Sequence, residues 1–263
     1  MSNHPLATHP DCSLITRLLD RTPARLLTGA AGPCYRTATQ LQLRLDHAAA
    51  IDAVRRELDL EKDLTSKMVH DLDLFEVTSR AKNRDEYLLR PDLGRQFDTP
   101  SRDKVSRLCP PNPNLQILVG DGLSATAVAA QVPALLPELM RQGLEAGWTL
   151  GRPFVVRNCR VGILNGVGEL LNPEVVILLL GERPGLATAE SLSAYFAWRP
   201  RPGHTDAHRN LISNIHAGGI PVDQAIPRIL ALAAGLRAAG MSGVGLRENL
   251  PQGDPFTLPP PTG

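Results

Sequence analysis

The stretch that most constrains this chain is Val175-Val176-Ile177-Leu178-Leu179-Leu180, which runs straight into Gly181-Glu182-Arg183-Pro184-Gly185-Leu186. Six apolar residues in a row, beginning β-branched, read as a strand buried on both faces. The charged loop that follows is bounded by glycine and proline and falls at the strand's carboxyl end. Open α/β sheets place their ligands there.

A second strand is expected at Leu115-Gln116-Ile117-Leu118-Val119, leaving through the turn Gly120-Asp121-Gly122. Ser124 or Thr126 is positioned to cap the next helix. In that helix Val132, Leu135, Leu136, Leu139, Met140 and Leu144 form one stripe, and Gly147 lies just past its end. Further strands are expected at 153–157 and 175–180, with a weaker one at 194–198, and a last helix from about Val222 to Ala239. Strand–loop–helix alternation of this kind implies an α/β fold with a mainly parallel, doubly wound (Rossmann-like) sheet.

Upstream, residues 38–61 are amphipathic, with Leu41, Leu45, Ala48, Ile51, Val54 and Leu58 at helical spacing. The run Leu14 to Leu19 has one apolar helical face, and either opens the fold or forms a short docking helix. Residues 69–87 mix short apolar pairs with charges and predict no definite element. Arg90-Pro91 ends that block, because the residue before proline is pushed out of the α region. The expected organisation is a mostly helical N-terminal segment, 1–105, with a loose tail at 1–12. An α/β domain over 106–247 follows, and then a Pro-rich tail, 248–263, that has nothing with which to bury a core and is expected to be disordered.

At 263 residues the chain is long enough to bury a sizeable core. A formal net charge of +1 gives no field-level case for nucleic acid or an acidic membrane surface. Cys12, Cys34, Cys109 and Cys159 are scattered without CxxC spacing, which argues against a disulfide framework and a zinc ribbon. No stretch approaches the ~20 apolar residues of a membrane span. The polar start, Met1 to Asp11, lacks the charged-then-apolar order of a secretory signal.

Three stretches carry chemistry worth weighing. Asp121-Gly122-Leu123-Ser124 leads from a strand end into a helix N-terminus, which suits an anion or a carbonyl-rich ligand. Ser124 as a plain cap explains it equally well. A serine-hydrolase elbow fails, because Gly122-Leu123-Ser124-Ala125-Thr126 lacks the final glycine of G-x-S-x-G. Glu182 offers a carboxylate at the sheet edge, on a loop stiffened by Pro184, and pairing with Arg183 or Arg160 is the structural alternative. His204 and His208 have i, i+4 spacing, but Pro200, Pro202 and Gly203 make this a loop and only His216 offers a third ligand. No metal site is expected, nor any nucleophile or acid–base constellation able to support catalysis alone.

A collinear set of motifs narrows the reading. It runs from Thr22-Pro23-Ala24-Arg25-Leu26 and Gly29-Ala30-Ala31-Gly32-Pro33, through Leu45-Asp46-His47-Ala48, Arg90-Pro91-Asp92-Leu93-Gly94-Arg95 and Asp121-Gly122-Leu123-Ser124-Ala125. It continues with Arg160-Val161, Gly168-Glu169-Leu170-Leu171, Gly181 to Leu186, Ile212-Ser213-Asn214-Ile215 and Ser242-Gly243-Val244-Gly245. In this order and over roughly Thr22 to Leu246, the chain resembles the small subunit of ethanolamine ammonia-lyase. The resemblance implies a role in an adenosylcobalamin-dependent enzyme that turns ethanolamine into acetaldehyde and ammonia by radical 1,2-amino migration. It implies a hetero-oligomer in which a barrel-shaped large subunit holds the substrate pocket and this chain completes the cobalamin site at the interface. The expected setting is the bacterial cytoplasm, or a protein-shelled microcompartment within it.

The same resemblance implies cobalamin contacts at Val161, at Glu182 and at Leu211, where the family has a cysteine. Other departures are Ala30 for an arginine, Asn165 for an acidic residue and Gln131 for an asparagine. Asp206-Ala207-His208-Arg209-Asn210-Leu211 misses the glycine of a D-x-H-x-x-G box, and the family usually has an acidic residue where His208 stands. The resemblance implies that cobalamin keeps its own base on cobalt. The rival functions are a cobalamin- or nucleotide-binding module without lyase activity and, less well supported, a stand-alone hydrolase.

Overall fold

The computed structural model describes residues 16–17, 30–185 and 188–246. The tail at 1–12, most of the run Leu14 to Leu19, the motif Thr22 to Leu26 and the tail at 248–263 lie outside the described residues. A two-strand antiparallel pair, β1 (Ala30–Ala31) and β2 (Cys34–Tyr35), precedes the long helix α1 (Thr37–Arg55). Two short helices follow, α2 (Leu60–Asp63) and α3 (Ser66–Asp71). The chain then enters the main sheet at β3 (Phe75–Thr78), leaving through α4 (Arg84–Leu89) and α5 (Thr99–Leu108).

The rest alternates: β4 (Leu115–Gly120), α6 (Ala125–Glu145), β5 (Phe154–Arg157), α7 (Ile163–Leu171), a helix not expected from the sequence, and β6 (Val175–Gly181). It closes with β7 (Leu192–Trp198), β8 (Asn210–Ile215) and α8 (Val222–Ala239). The six strands lie in the order β3-β5-β4-β6-β7-β8. The first four are parallel, whereas β7 runs antiparallel to both β6 and β8. The fold is thus α/β with a mixed, mostly parallel sheet.

Strands β4 and β6 are buried at every residue, as expected of strands covered on both faces; β6 is apolar throughout, whereas β4 also buries the polar Gln116. Their side chains alternate between two cores, one on each face of the sheet. One core holds Leu115, Ile117, Val119, Ile177 and Leu179 under α6 and α8. The other holds Leu118, Phe154, Val156, Leu178 and Leu180 with Ile163 and Val167 of α7. Ser124 is the N-cap of α6, its side chain accepting from the Ala127 amide at 3.1 Å. Gly147 takes φ +80 just beyond that helix, where a residue with a Cβ is strained.

Two strands of the six-stranded sheet have no counterpart in the hydrophobic periodicity. β3 comes from the stretch 69–87, which predicted no definite element, and it gives the N-terminal segment a place at the sheet's edge. It is four residues long and buries alternate side chains, so it carries only two core residues among many charges. β8 has its two fully inward residues three apart, Ile212 and Ile215, and no strict period of two. The weaker strand expected at 194–198 is β7, two residues longer than expected.

Candidate functional site

Strands β5, β4 and β6 are neighbours and parallel, so their carboxyl ends emerge side by side. The loops leaving them carry Asn158 to Val161, Asp121 and Glu182, respectively. The β4 and β6 ends are packed tightly together. The Leu123 amide donates to the Gly181 carbonyl at 2.9 Å, and a Cβ on Gly122 would collide with that same carbonyl. Gly122 also sits at φ +56, so glycine is required there twice over.

Asp121 is spent on structure. Its Oδ2 accepts from the Asn158 amide and its Oδ1 from the Cys159 amide, each at 2.9 Å, while Arg84 Nη1 lies 3.3 Å from Oδ2. Burial pushes this carboxyl up, against the opposing pull of Arg84 and the backbone amides. Ser124 is fully buried and donates to the Ala189 carbonyl at 2.6 Å. Of the two uses open to Asp121-Gly122-Leu123-Ser124, the structure shows the cap, made by Ser124.

The Asp121 bonds hold the loop that presents Val161. Asn158 adopts φ +53, and the Arg160 amide donates to the Gly94 carbonyl at 2.8 Å. Beside this loop the Tyr87 ring has two guanidinium groups against it, Arg160 at 4.3 Å and Arg84 at 4.8 Å from its centroid. The Tyr87 hydroxyl donates to the Cys159 carbonyl at 2.9 Å. Val161 is half-buried and packs against the core on the α7 side.

Glu182 is also half-buried, directly after β6, with its amide donating to the Ser191 carbonyl at 3.1 Å. Its carboxylate Oε1 accepts from the Tyr195 hydroxyl at 2.9 Å. Neither Arg160 nor Arg183 pairs with it, and among the described residues no protein group donates to Oε2. Leu211 is the cross-strand partner of Tyr195 on β8 and is 47% exposed. It faces away from Ile212, which belongs to the α6–α8 core, so it shares the open side of the sheet with Tyr195. Tyr195 thus stands between Glu182 and Leu211, and it packs on the same core as Val161. The motifs did not single out Tyr195. Its only signal was an aromatic residue with a polar end inside a weak strand.

His204 and His208 do come together, their rings stacked with centroids 4.5 Å apart. Both are occupied as acceptors. Arg201 Nε donates to His204 Nε2 and the Thr205 amide to His208 Nδ1, each at 3.1 Å. His216 is buried and accepts from the Gly218 amide. Among the described residues no group of three or more His, Cys, Asp and Glu is placed to hold a metal. A cleft of about 1360 Å³ opens between the 78–102 stretch, α7 and the 202–206 loop, lined by Arg80, Lys82, Arg95, Arg102, Asn165 and Asp206 among others. None of Val161, Glu182 and Leu211 lines it.

The order of these parts along the chain matches a known family. Residues 13–247 fit the family model described as ethanolamine ammonia-lyase light chain. The chain belongs to the ethanolamine ammonia-lyase light chain family. It is 42% identical over 228 residues to the ethanolamine ammonia-lyase small subunit of Clostridium perfringens, covering 86% of this chain and 75% of that protein. The small subunit of Rhodopseudomonas palustris is 41% identical over 228 residues, with 87% of each chain covered. That of Fusobacterium nucleatum is 42% identical over 227 residues, covering 86% of this chain and 75% of that protein. The light-chain match takes in the whole six-stranded sheet together with Val161, Glu182 and Leu211. Among the described residues no helix of this light chain is long and apolar enough to cross a membrane.

Proposed function

We propose that this chain is the small subunit of an adenosylcobalamin-dependent ethanolamine ammonia-lyase and that it covers the cobalamin at the interface with a catalytic large subunit. Family membership supports the lyase assignment, and its relatives' designation as small subunits supports a larger partner. The observation that carries the cofactor assignment is the state of Glu182. One carboxylate oxygen is tethered by Tyr195 and the other is free to accept, beside the exposed Leu211 on a side of the sheet where Val161 also packs. An acceptor flanked by apolar groups fits the rim of a corrin, where amide donors alternate with methyl-bearing ring edges. Where the family has a cysteine, Leu211 supplies only packing.

When bound, adenosylcobalamin would supply the radical chemistry of the amino migration. This chain's part is to accept a hydrogen bond at Glu182 and to cover apolar surface with Val161 and Leu211, which keeps water from that side of the cofactor. Binding between two chains makes cofactor retention and subunit association reinforce each other.

The test is ethanolamine deamination by this chain co-expressed with its large subunit and supplied with adenosylcobalamin, with each chain alone as control. Ammonia only from the complete mixture is the expected result. Cobalamin retention without ammonia, with a large subunit known to be active beside another small subunit, would instead favour a binding module without lyase function. In the assembled complex Glu182→Ala is expected to weaken cobalamin binding by about 1–3 kcal/mol, the cost of removing a hydrogen bond to a charged group. Equilibrium dialysis measures it, and unchanged affinity removes Glu182 from the site.

A further inference from the structure

Glu182 follows the last residue of β6, and its side chain has three rotatable bonds with which to wander. What restrains it lies on the neighbouring strand. Tyr195 of β7 is paired in register with Leu178, four residues before Glu182, and its hydroxyl reaches the Glu182 carboxylate at 2.9 Å. The tyrosine ring is itself fixed, since it packs on the α7-side core and has Leu211 as its cross-strand neighbour.

We infer that Tyr195 is the residue that positions Glu182 for the cobalamin, holding Oε1 so that Oε2 is presented to the ligand's amide groups. This rests on the cofactor assignment proposed above. Burial and the adjacent carboxylate push the phenol above its ordinary range, so it is a hydrogen-bond donor at neutral pH. A restrained acceptor loses less side-chain freedom on binding than a free one, so affinity comes from the restraint as well as from the contact. Tyr195 also lies beside Leu211, so one ring ties the polar and the apolar contacts of the site to a common support.

The experiment is a double-mutant cycle of Tyr195→Phe with Glu182→Ala in the complex assembled with the large subunit. Cyanocobalamin is titrated by equilibrium dialysis, and kcat is measured separately at saturating adenosylcobalamin. Phenylalanine preserves the ring's packing, and unchanged thermal unfolding of the small subunit confirms it. Tyr195→Phe alone is expected to weaken cyanocobalamin binding about tenfold. It should raise the KM for adenosylcobalamin while leaving kcat at saturation unchanged. In the Glu182→Ala background it should have no further effect. Full affinity in Tyr195→Phe beside a clear loss in Glu182→Ala overturns the positioning role and leaves the Glu182 contact standing. Additive losses overturn it as well, because Tyr195 then acts by a route other than Glu182. Full affinity in Glu182→Ala brings down the contact itself and the positioning role with it.

Discussion

Helices α1 and α6 carry similar apolar repeats and meet opposite fates. In α6 the stripe expected from its spacing is inside: Val132, Leu135, Leu136 and Leu139 are fully buried, Met140 packs at the margin, and only Leu144 stays out. In α1 Leu41 is 53% exposed and Leu45 65%, and the helix has a single buried residue, Ala53. The amphipathic stretch expected over 38–61 is therefore helical only to Arg55, resuming at Leu60, and most of its apolar face stays outside the core. The physical difference is where each helix is attached. α6 lies along the sheet for much of its length, whereas α1 is held at its last turn. There Arg84 Nε donates to the Val54 carbonyl at 2.6 Å, and Arg56 pairs with Asp63. Periodicity states which face a helix offers; whether anything meets that face depends on neighbours hundreds of atoms away in the chain.

The comparison can be broken most forcefully at the latch between α1 and the sheet. Asp121→Ala leaves the Arg84 guanidinium buried without its carboxylate and frees the amides of Asn158 and Cys159. The expected loss is about 3–5 kcal/mol in urea denaturation of the isolated chain. Next comes the core of α6. Leu135→Ala should cost about 2–5 kcal/mol, because the close-packed site above β4 and β6 cannot collapse around the void. The matching change on α1, Leu45→Ala, should stay within about 0.5 kcal/mol. A loss comparable to that of Leu135→Ala would show α1 to be covered in the isolated chain after all.

The smallest expected effect serves as a control, since it lies on neither helix. Burial, with His208, Arg209 and Arg201 adding to it, holds the His204 imidazole below its ordinary value of 6.5. Folding therefore favours the neutral ring, and the stability it contributes is present above pH 6.5 and lost as pH falls through the lowered value. Protonation also turns His204 Nε2 from acceptor into donor, facing the Arg201 Nε–H. Imidazole NMR shifts and amide hydrogen exchange should show the 201–208 loop loosening on acidification while α6 stays protected.

The place of Glu182 in the fold was legible for the same reason that β6 was. A six-residue apolar run has to end somewhere, and Glu182 stands at that end in a loop that glycine and proline define. Its partner was not legible, because Tyr195 comes from the next strand and joins Glu182 only through the antiparallel register of β6 and β7. The even choice at Asp121 to Ser124 shows the same limit. The residue types suit a ligand or a cap, and burial beneath Gly181 and Ala189 decides for the cap.

By itself the sequence determined the elements whose signal is local and long: β6 as an unbroken apolar run, β4 as a mostly apolar one, α6 and α8 as helices, and the family through a collinear set of motifs. Only the tertiary structure decided the direction of β7, the places of β3 and β8 at the two edges, the exposure of α1 and the tether on Glu182. Each of these depends on which segments lie side by side. Hydrogen bonds across a sheet and burial against a distant helix are set by that neighbourhood, and the order of residues along one strand or helix does not encode it.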